Sequence, residues 1–476
     1  MDVVAVDERV EVHMRDVNAF AWYMEQDPLL RSTVVVVLVL DRPPDWGRLQ
    51  DRLERFTRLS PGFRQKVVVP PLRLATPRWV VDPHFDLSWH LRRFEAAAPR
   101  TLEAVLEFAR KTGMAGLDRD RPLWEATFIE NLEGGRTAVV IKLHHSLTDG
   151  VGGMGIARLL FDVEPEPADL GPMPDAPTGE SLGTVDLVRD ALGHGWSRLA
   201  DLSMHLAASA PGGAANAVRH PRQAATEAVA TVQSVARFLQ PAPDTLSPVM
   251  TERGMAWRYD VLQFPLADLL SAAHTAEAKL NDAFLSGITA GLRRYHEGHG
   301  EPVDELRVTM PLSIRRDGDP IGGNRITLMR FKVPVGITDP VERMRQTHDR
   351  VEPMKTDRSL PFTDALAGAL NLLPRAVIGG LLKHIDFLAS NVPGFPVPLH
   401  LSGARVEAFY AFGPTIGAAL NITLMSYRGT CHVGITIDTG AVPDADVLMD
   451  CMRDGFDEVL AVAGATGHVV LPSRPA

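Results

Sequence analysis

The sequence predicts an α/β (α+β) protein built in two large halves, and three observations carry that expectation. Apolar runs of strand length, such as Thr33 to Leu40, are interleaved with segments whose apolar residues recur at helical spacing, such as Leu49, Leu53 and Phe56. A stretch rich in Pro, Asp and Gly over 164–180 and a second loop over 241–248 bracket an alanine-rich middle. At 476 residues the chain can bury more than one large core. The expected division is an N-terminal half over 1–164, a linker and helical crossover over 165–250, and a C-terminal half over 251–476.

The elements follow in order. A short helix is expected over 14–22. Thr33 to Leu40, almost entirely Val and Leu, suits a strand buried on both faces, and Pro43-Pro44 ends it. Residues 46–57 form an amphipathic helix. Residues 66–70 and 78–82 read as short strands. Residues 101–112 read as a helix with Val105, Leu106 and Ala109 inward and Gly113 as its stop. Residues 126–130 and 137–143 make a hairpin around Gly134-Gly135. Two or three helices are expected within 181–239. The second half opens with a strand over 256–264, a helix over 268–278 and another from Lys279 onward. A strand over 306–314 follows. Residues 406–412, 420–425 and 431–437 close the fold as strands, before a final helix capped by Asp444. The segment 371–390 is apolar but interrupted by Arg375, Lys383, His384 and Asp386, and reads as an amphipathic, partly buried helix.

With 49 Lys and Arg against 59 Asp and Glu, the net charge is −10. That balance argues against nucleic acid as a partner and gives no overall attraction to anionic lipid. No apolar run reaches membrane-spanning length. The acidic start, MDVVAVDERVEVHMRD, lacks the basic region of a signal peptide, so a cytoplasmic location is expected. Cys431 and Cys451 read as small buried hydrophobes in a reducing compartment.

The chemistry concentrates in His144-His145-Ser146-Leu147-Thr148-Asp149-Gly150, the pattern HHxxxDG, at the end of an apolar run. Histidine titrates nearest neutrality, so it can take a proton from an alcohol and return it to a leaving group. If the strand continues through the pair, Ile141, Leu143 and His145 share one face, and Lys142 and His144 the other. The two histidines then have different tasks, and neighbouring strand residues do not converge on a metal ion, so no metal is expected. Gly150 would admit a backbone conformation closed to other residues. Ser146 lies beside His145 without the GxSxG elbow of a serine nucleophile.

This motif resembles the signature of the CoA-dependent acyltransferase superfamily, which includes chloramphenicol acetyltransferase and peptide-synthetase condensation domains. Four further stretches resemble elements of the bacterial wax ester synthase/diacylglycerol acyltransferase family. They are Pro122-Leu123-Trp124 (PLW), Asn281-Asp282 (ND), Met310 to Arg315 followed by Gly323-Asn324 (PVSxR…GN), and Ser390-Asn391-Val392-Pro393-Gly394 (SNVPG). Taken alone, Asn281 reads equally well as a helix N-cap, Pro122-Leu123-Trp124 as a strand entry with a core aromatic, and the SNVPG stretch as turn chemistry. The resemblance runs from about Asp16 to Leu460. It leaves the alanine-rich middle unmatched and meets Phe395 where many relatives have proline.

The resemblance implies two chloramphenicol-acetyltransferase-like halves, each a mixed sheet flanked by helices, with a tunnel between them and HHxxxDG at its middle. It implies an acyl-CoA-dependent O-acyltransferase that esterifies diacylglycerol or a long-chain alcohol. Acyl-CoA is then a co-substrate, no metal or redox cofactor is called for, and a peripheral association with membrane or lipid-droplet surfaces follows from the substrates. The implied catalytic set is His145 as base, with His144, Asp149, Gly150 and Asn281. Asn281 or a backbone N–H near Gly150 would meet the oxyanion. Pro122, Leu123, Trp124, Asp282, Arg315, Ser390 and Asn391 would bind substrate or support the site, with Arg315 pairing with Asp149. Two alternatives stand beside this reading: a carrier-protein-dependent enzyme of the same superfamily, and a non-catalytic lipid-binding or lipid-droplet protein.

Overall fold

The computed structural model describes residues 12–71, 74–166, 169–194, 244–313, 326–355, 384–464 and 468–473. Two six-stranded sheets organise them. The first contains β1 (Thr33–Leu40), β4 (Leu91–Glu95), β5 (Trp124–Glu130), β6 (Thr137–His144), β11 (His400–Leu401) and β12 (Ala404–Phe412). Their order is β11-β12-β1-β6-β5-β4. β2 (Gln65–Val68) and β3 (Arg78–Val81) form a separate antiparallel pair. The second large sheet holds β7 (Trp257–Pro265), β8 (Glu305–Ser313), β9 (Ile326–Pro334), β10 (Phe387–Val392), β13 (Leu420–Tyr427) and β14 (Thr430–Asp438). Their order is β7-β14-β13-β10-β8-β9. Both sheets are mixed: β4 runs parallel to β5, β10 runs parallel to β13 and β8, and the other large-sheet pairs are antiparallel.

The helices are α1 (Asp16–Met24), α2 (Trp46–Leu59), α3 (Leu87–His90), α4 (Leu102–Met114), α5 (Gly150–Leu160), α6 (Leu266–Thr275), α7 (Leu280–Gly298), α8 (Pro340–Lys355) and α9 (Ala445–Ala461). Residues 184–194 are also helical; the rest of the alanine-rich middle, 195–243, lies outside the described residues.

The strand periodicity of two decides which side chains reach the site. On β1, Val35, Val37 and Val39 enter a core with Val105, Leu106 and Ala109 of α4 and with Trp257 and Tyr259 of β7. Val34, Val36 and Leu38 face the other way, into a cavity. On β13, Leu420, Ile422 and Leu424 join a core with Phe284 and Ile288 of α7 and Met452 and Phe456 of α9. Asn421, Thr423 and Met425 face the same cavity from the other side. The site therefore lies between the sheets.

The expected boundary within 165–250 does not coincide with the division between the sheets. β12, from the C-terminal half, pairs antiparallel with β1 in a register running from Val35↔Phe412 to Leu40↔Val406. Without it, one edge of an almost wholly aliphatic strand would be left unpaired.

Several local expectations change. Gly113 lies inside α4 rather than ending it. A Cβ there would come 2.4 Å from the Tyr259 hydroxyl, so the glycine admits β7 to the helix. Phe387 to Ser390 belong to β10, where parallel pairing on both sides replaces the expected helix; residues 371–383 lie outside the described residues. Asp444 does occupy the N-cap position of α9, but its carboxylate accepts from the Tyr295 hydroxyl at 2.5 Å and makes no capping bond. Both cysteines are free, Cys431 buried and Cys451 partly so. Among the described residues no helix is long and apolar enough to cross a membrane.

Candidate active site

β6 carries the two histidines to the junction of the sheets. Its pairing with β1 ends at Thr33↔His144, and one further backbone bond, His145 N–H to the Ser32 carbonyl at 2.8 Å, fixes the next residue. The expected alternation holds. Ile141, Leu143 and His145 line the cavity, whereas Lys142 and His144 do not. Lys142 sends its ammonium to the Gly116 carbonyl at 3.0 Å on the far side.

The cavity has a volume of about 400 Å³ and walls that are almost wholly apolar. Such dimensions suit a binding site for an apolar ligand. His145 projects into it. Burial pushes its imidazole below the ordinary range; its own backbone and the Asp149 carboxylate pull the other way without reversing the effect. The ring is thus held neutral near pH 7, with a lone pair to accept a proton.

His144 is fully buried and differently held. The Ser146 N–H donates to its Nδ1 at 3.1 Å, and the Ser146 hydroxyl lies 2.6 Å from the same atom. With Nδ1 accepting, the proton resides on Nε2, which faces a Glu25 carboxylate oxygen at 2.9 Å. Burial alone would raise the Glu25 carboxyl. The contact with His144, helped by Arg119 and Arg31, more than offsets it and holds the group below the usual carboxylate range. Glu25, at the C-terminal end of α1, is a residue that sequence reasoning missed. No local motif surrounds it, and only the fold brings it 119 positions along the chain to His144.

Asp149 caps α5, accepting the Gly152 N–H at 2.6 Å. Its expected partner Arg315 lies outside the described residues, as do Gly323 and Asn324. Gly150 adopts no left-handed backbone, which corrects the expected reason for it. The reason is contact: a Cβ there would fall 2.7 Å from a methyl of Val392, the central residue of the SNVPG stretch. Gly394 of the same stretch is still tighter, since a Cβ would fall 1.4 Å from the Ser426 carbonyl oxygen of β13. Two motifs 240 residues apart therefore meet through a missing side chain.

Leu123 and Trp124 meet the strand that carries the histidines. The Leu123 carbonyl accepts the His144 N–H at 3.0 Å. Trp124 donates its indole N–H to the Phe63 carbonyl at 2.9 Å, stacks on His90 with centroids 4.5 Å apart, and borders the cavity. Asn281 is not the N-cap of α7; Lys279 is. Asn281 instead accepts from the Asn391 amide at 2.5 Å, so the ND and SNVPG motifs are joined, and neither asparagine is part of the cavity wall. Asp282 accepts the Lys279 N–H at 2.8 Å and faces His348 Nδ1 at 2.7 Å, a helix-start role. Ser390 does line the cavity.

Residues 14–284 match the wax ester synthase/diacylglycerol acyltransferase catalytic domain, and residues 322–459 match the WS/DGAT C-terminal domain. The chain belongs to the wax ester synthase/diacylglycerol acyltransferase family. Two Mycobacterium tuberculosis H37Rv proteins named as diacylglycerol O-acyltransferases are 35% and 30% identical to it. The first match covers 94% of this chain and 92% of the relative; the second covers 95% and 98%. Among solved structures, the wax ester synthase/diacylglycerol acyltransferase of Marinobacter aquaeolei VT8 superposes with a TM-score of 0.63 at 21% identity, over 95% of this chain and all of that one. The first condensation domain of the calcium-dependent antibiotic synthetase gives 0.62 at 15%, over 99% of each. These likenesses establish the fold of two acyltransferase-like halves around a central cavity.

Proposed function

We propose that this family member transfers a long-chain acyl group from acyl-CoA to the hydroxyl of diacylglycerol or a fatty alcohol, with His145 as general base. The observation that carries the reading is the His145 imidazole, held neutral, on the wall of a largely apolar cavity between the two sheets. The acceptor hydroxyl gives its proton to His145 as its oxygen attacks the thioester carbonyl carbon. The carbon–sulfur bond then breaks, and the imidazolium returns the proton to the departing thiolate, leaving ester and free CoA. The start of α5, at Gly150 on the cavity wall, offers backbone N–H groups and the positive end of a helix dipole to the developing oxyanion. His144 acts by fixing the loop that holds His145, clamped between Ser146 and Glu25. The substrates dissolve in membranes and lipid droplets, so the chain works peripherally at such a surface, on its cytoplasmic side.

The test is CoA release from palmitoyl-CoA by the purified protein with diacylglycerol, with a long-chain alcohol, and with no acceptor, each beside His145→Ala. Acceptor-dependent release lost in the variant supports the reading. Release indifferent to acceptor and variant, or none at all, overturns it for this donor and turns attention to carrier-bound acyl groups or to plain lipid binding.

A further inference from the structure

The cavity face of the second sheet is not uniformly apolar. Arg330 of β9 lines the cavity, opposite Thr309 of β8 in the antiparallel register. Among the described residues the Arg330 side chain makes no hydrogen bond or ion pair. Burial, and then the like charge of Arg307, are what act on its guanidinium, and both disfavour its charge. Thr309 is 2% exposed, also lines the cavity, and its hydroxyl has no partner among the described residues. Arg307 lies two residues earlier on β8 and so on the same face. It is tied to the carbonyls of Asp244 at 3.0 Å and His384 at 2.9 Å, which leaves its charge unneutralised by those bonds. A diacylglycerol, a fatty alcohol and an acyl chain are all uncharged. None of them gives an unpaired, largely buried guanidinium a reason to face this cavity, because a buried charge left without a partner is costly.

We propose that Arg330 and Thr309 form an oxyanion subsite that holds a phosphate group of a substrate while its reacting end lies at His145. Arginine donating together with a hydroxyl is suited to a phosphate. Distance supports the donor as the source. Val392 touches Gly150, beside the histidine loop, and Arg330 is in register with Leu388, four residues earlier on β10 and two strands across. At about 3.3 Å per residue and 4.8 Å per strand, that separation is roughly 16 Å. The pantetheine arm between a thioester sulfur and the first phosphate of CoA has about a dozen bonds, and spans roughly 14 Å at the extended-chain rise per bond. An acceptor carrying its own phosphate is the other source of the same chemistry.

The proposal rests on the acyl-transfer reading for its kinetics, so binding is measured as well. Wild type, Arg330→Gln, Arg330→Lys and Thr309→Val would be titrated by calorimetry with CoA, and assayed with palmitoyl-CoA and with palmitoyl-pantetheine, which lacks the nucleotide phosphates. Acceptors would be monoacylglycerol and its phosphorylated counterpart, lysophosphatidate. The expected result is about a 10- to 100-fold rise in KM for palmitoyl-CoA in Arg330→Gln, with kcat held. Palmitoyl-pantetheine should be unaffected, CoA binding weakened in parallel, and Arg330→Lys partly restored. Discrimination confined to lysophosphatidate against monoacylglycerol would keep the subsite and assign it to the acceptor. Equal effects on charged and uncharged partners, or none, with unchanged CoA binding, would overturn the subsite. Lost turnover with CoA binding still dependent on Arg330 would sink the acyl-transfer reading and leave the subsite standing.

Discussion

Replacing Gly150 with alanine tests whether the HHxxxDG glycine exists for contact. The added Cβ would fall 2.7 Å and 3.2 Å from the two γ-methyls of Val392. Carbon atoms at rest sit about 3.5–4.0 Å apart, so one side must retreat by roughly an ångström. Val392 is 9% exposed and packs against Ala411 and Met425, and all three border the cavity, so a retreat of its methyls repacks the cavity wall. Overpacking of this kind costs about 1–3 kcal/mol. The alternative to a shift of Val392 is a shift of the start of α5, and that displaces the loop holding His145. A misplacement of about 1 Å can lower turnover about a hundredfold. The G150A protein should therefore lose both thermal stability and kcat/KM in the palmitoyl-CoA assay. The rescue is Val392→Ala, which removes the two methyls concerned. The double variant should exceed G150A in both measurements, with a coupling of at least about 1 kcal/mol. If the double variant shows only the sum of the two single losses, contact with Val392 is not what makes a glycine necessary.

Further predictions concern the shell around the histidines. Glu25→Ala should lower kcat with little effect on KM and destabilise the fold by about 1.5–3 kcal/mol, the usual contribution of a hydrogen bond to a charged group, while Glu25→Gln retains part of both; thermal unfolding and steady-state kinetics would show it. In Asn281→Ala, Asn391→Ala and their double variant, the pair should couple by about 0.5–1.5 kcal/mol, and independent effects in a double-mutant cycle would refute a shared bond. Burial lowers the imidazoles of His90 and His432 to about 4, and lowers those of His145 and His296. The unfolded rings titrate near 6.5, so as pH falls below that value the unfolded chain takes up the extra protons. Stability, full at neutral pH, should then fall by about 1.4 kcal/mol per pH unit for each such ring until its folded pKa is reached, as melts between pH 4 and 8 would reveal. The acid limb of kcat/KM should likewise lie below about pH 6.5, because His145 must be neutral to act.

Strand and helix positions were largely legible because the burial pattern is local. The Val and Leu of Thr33 to Leu40 mark a strand whatever it packs against, and β1 occupies those residues. The facing of His144 and His145 was legible for the same reason, since alternation needs only a continuing strand. What sequence could not show was pairing across distance. Glu25 has no motif. Gly150 reads as a backbone necessity in the sequence because Val392, its contact constraint, lies far along the chain. Asn281 reads equally as a cap or as a site residue, because a helix start is visible in the sequence and its partner Asn391 is not. The membership of β12 in the first sheet was hidden likewise, since a strand's own residues do not name its neighbour.

That last feature bears on how the protein can be taken apart. Suppose the chain is cut within 195–243 and its N-terminal piece made alone. The piece carries β1 with the edge bare from Val35 to Leu40, and a bare aliphatic edge recruits whatever extended chain it meets. Alone, it should precipitate. Made together with the C-terminal piece, which brings Val406 to Phe412 in the matching register, it has a specific partner ready. The two pieces should find each other and regain turnover, so this enzyme is a natural candidate for conversion into a split reporter whose signal is its own acyl transfer.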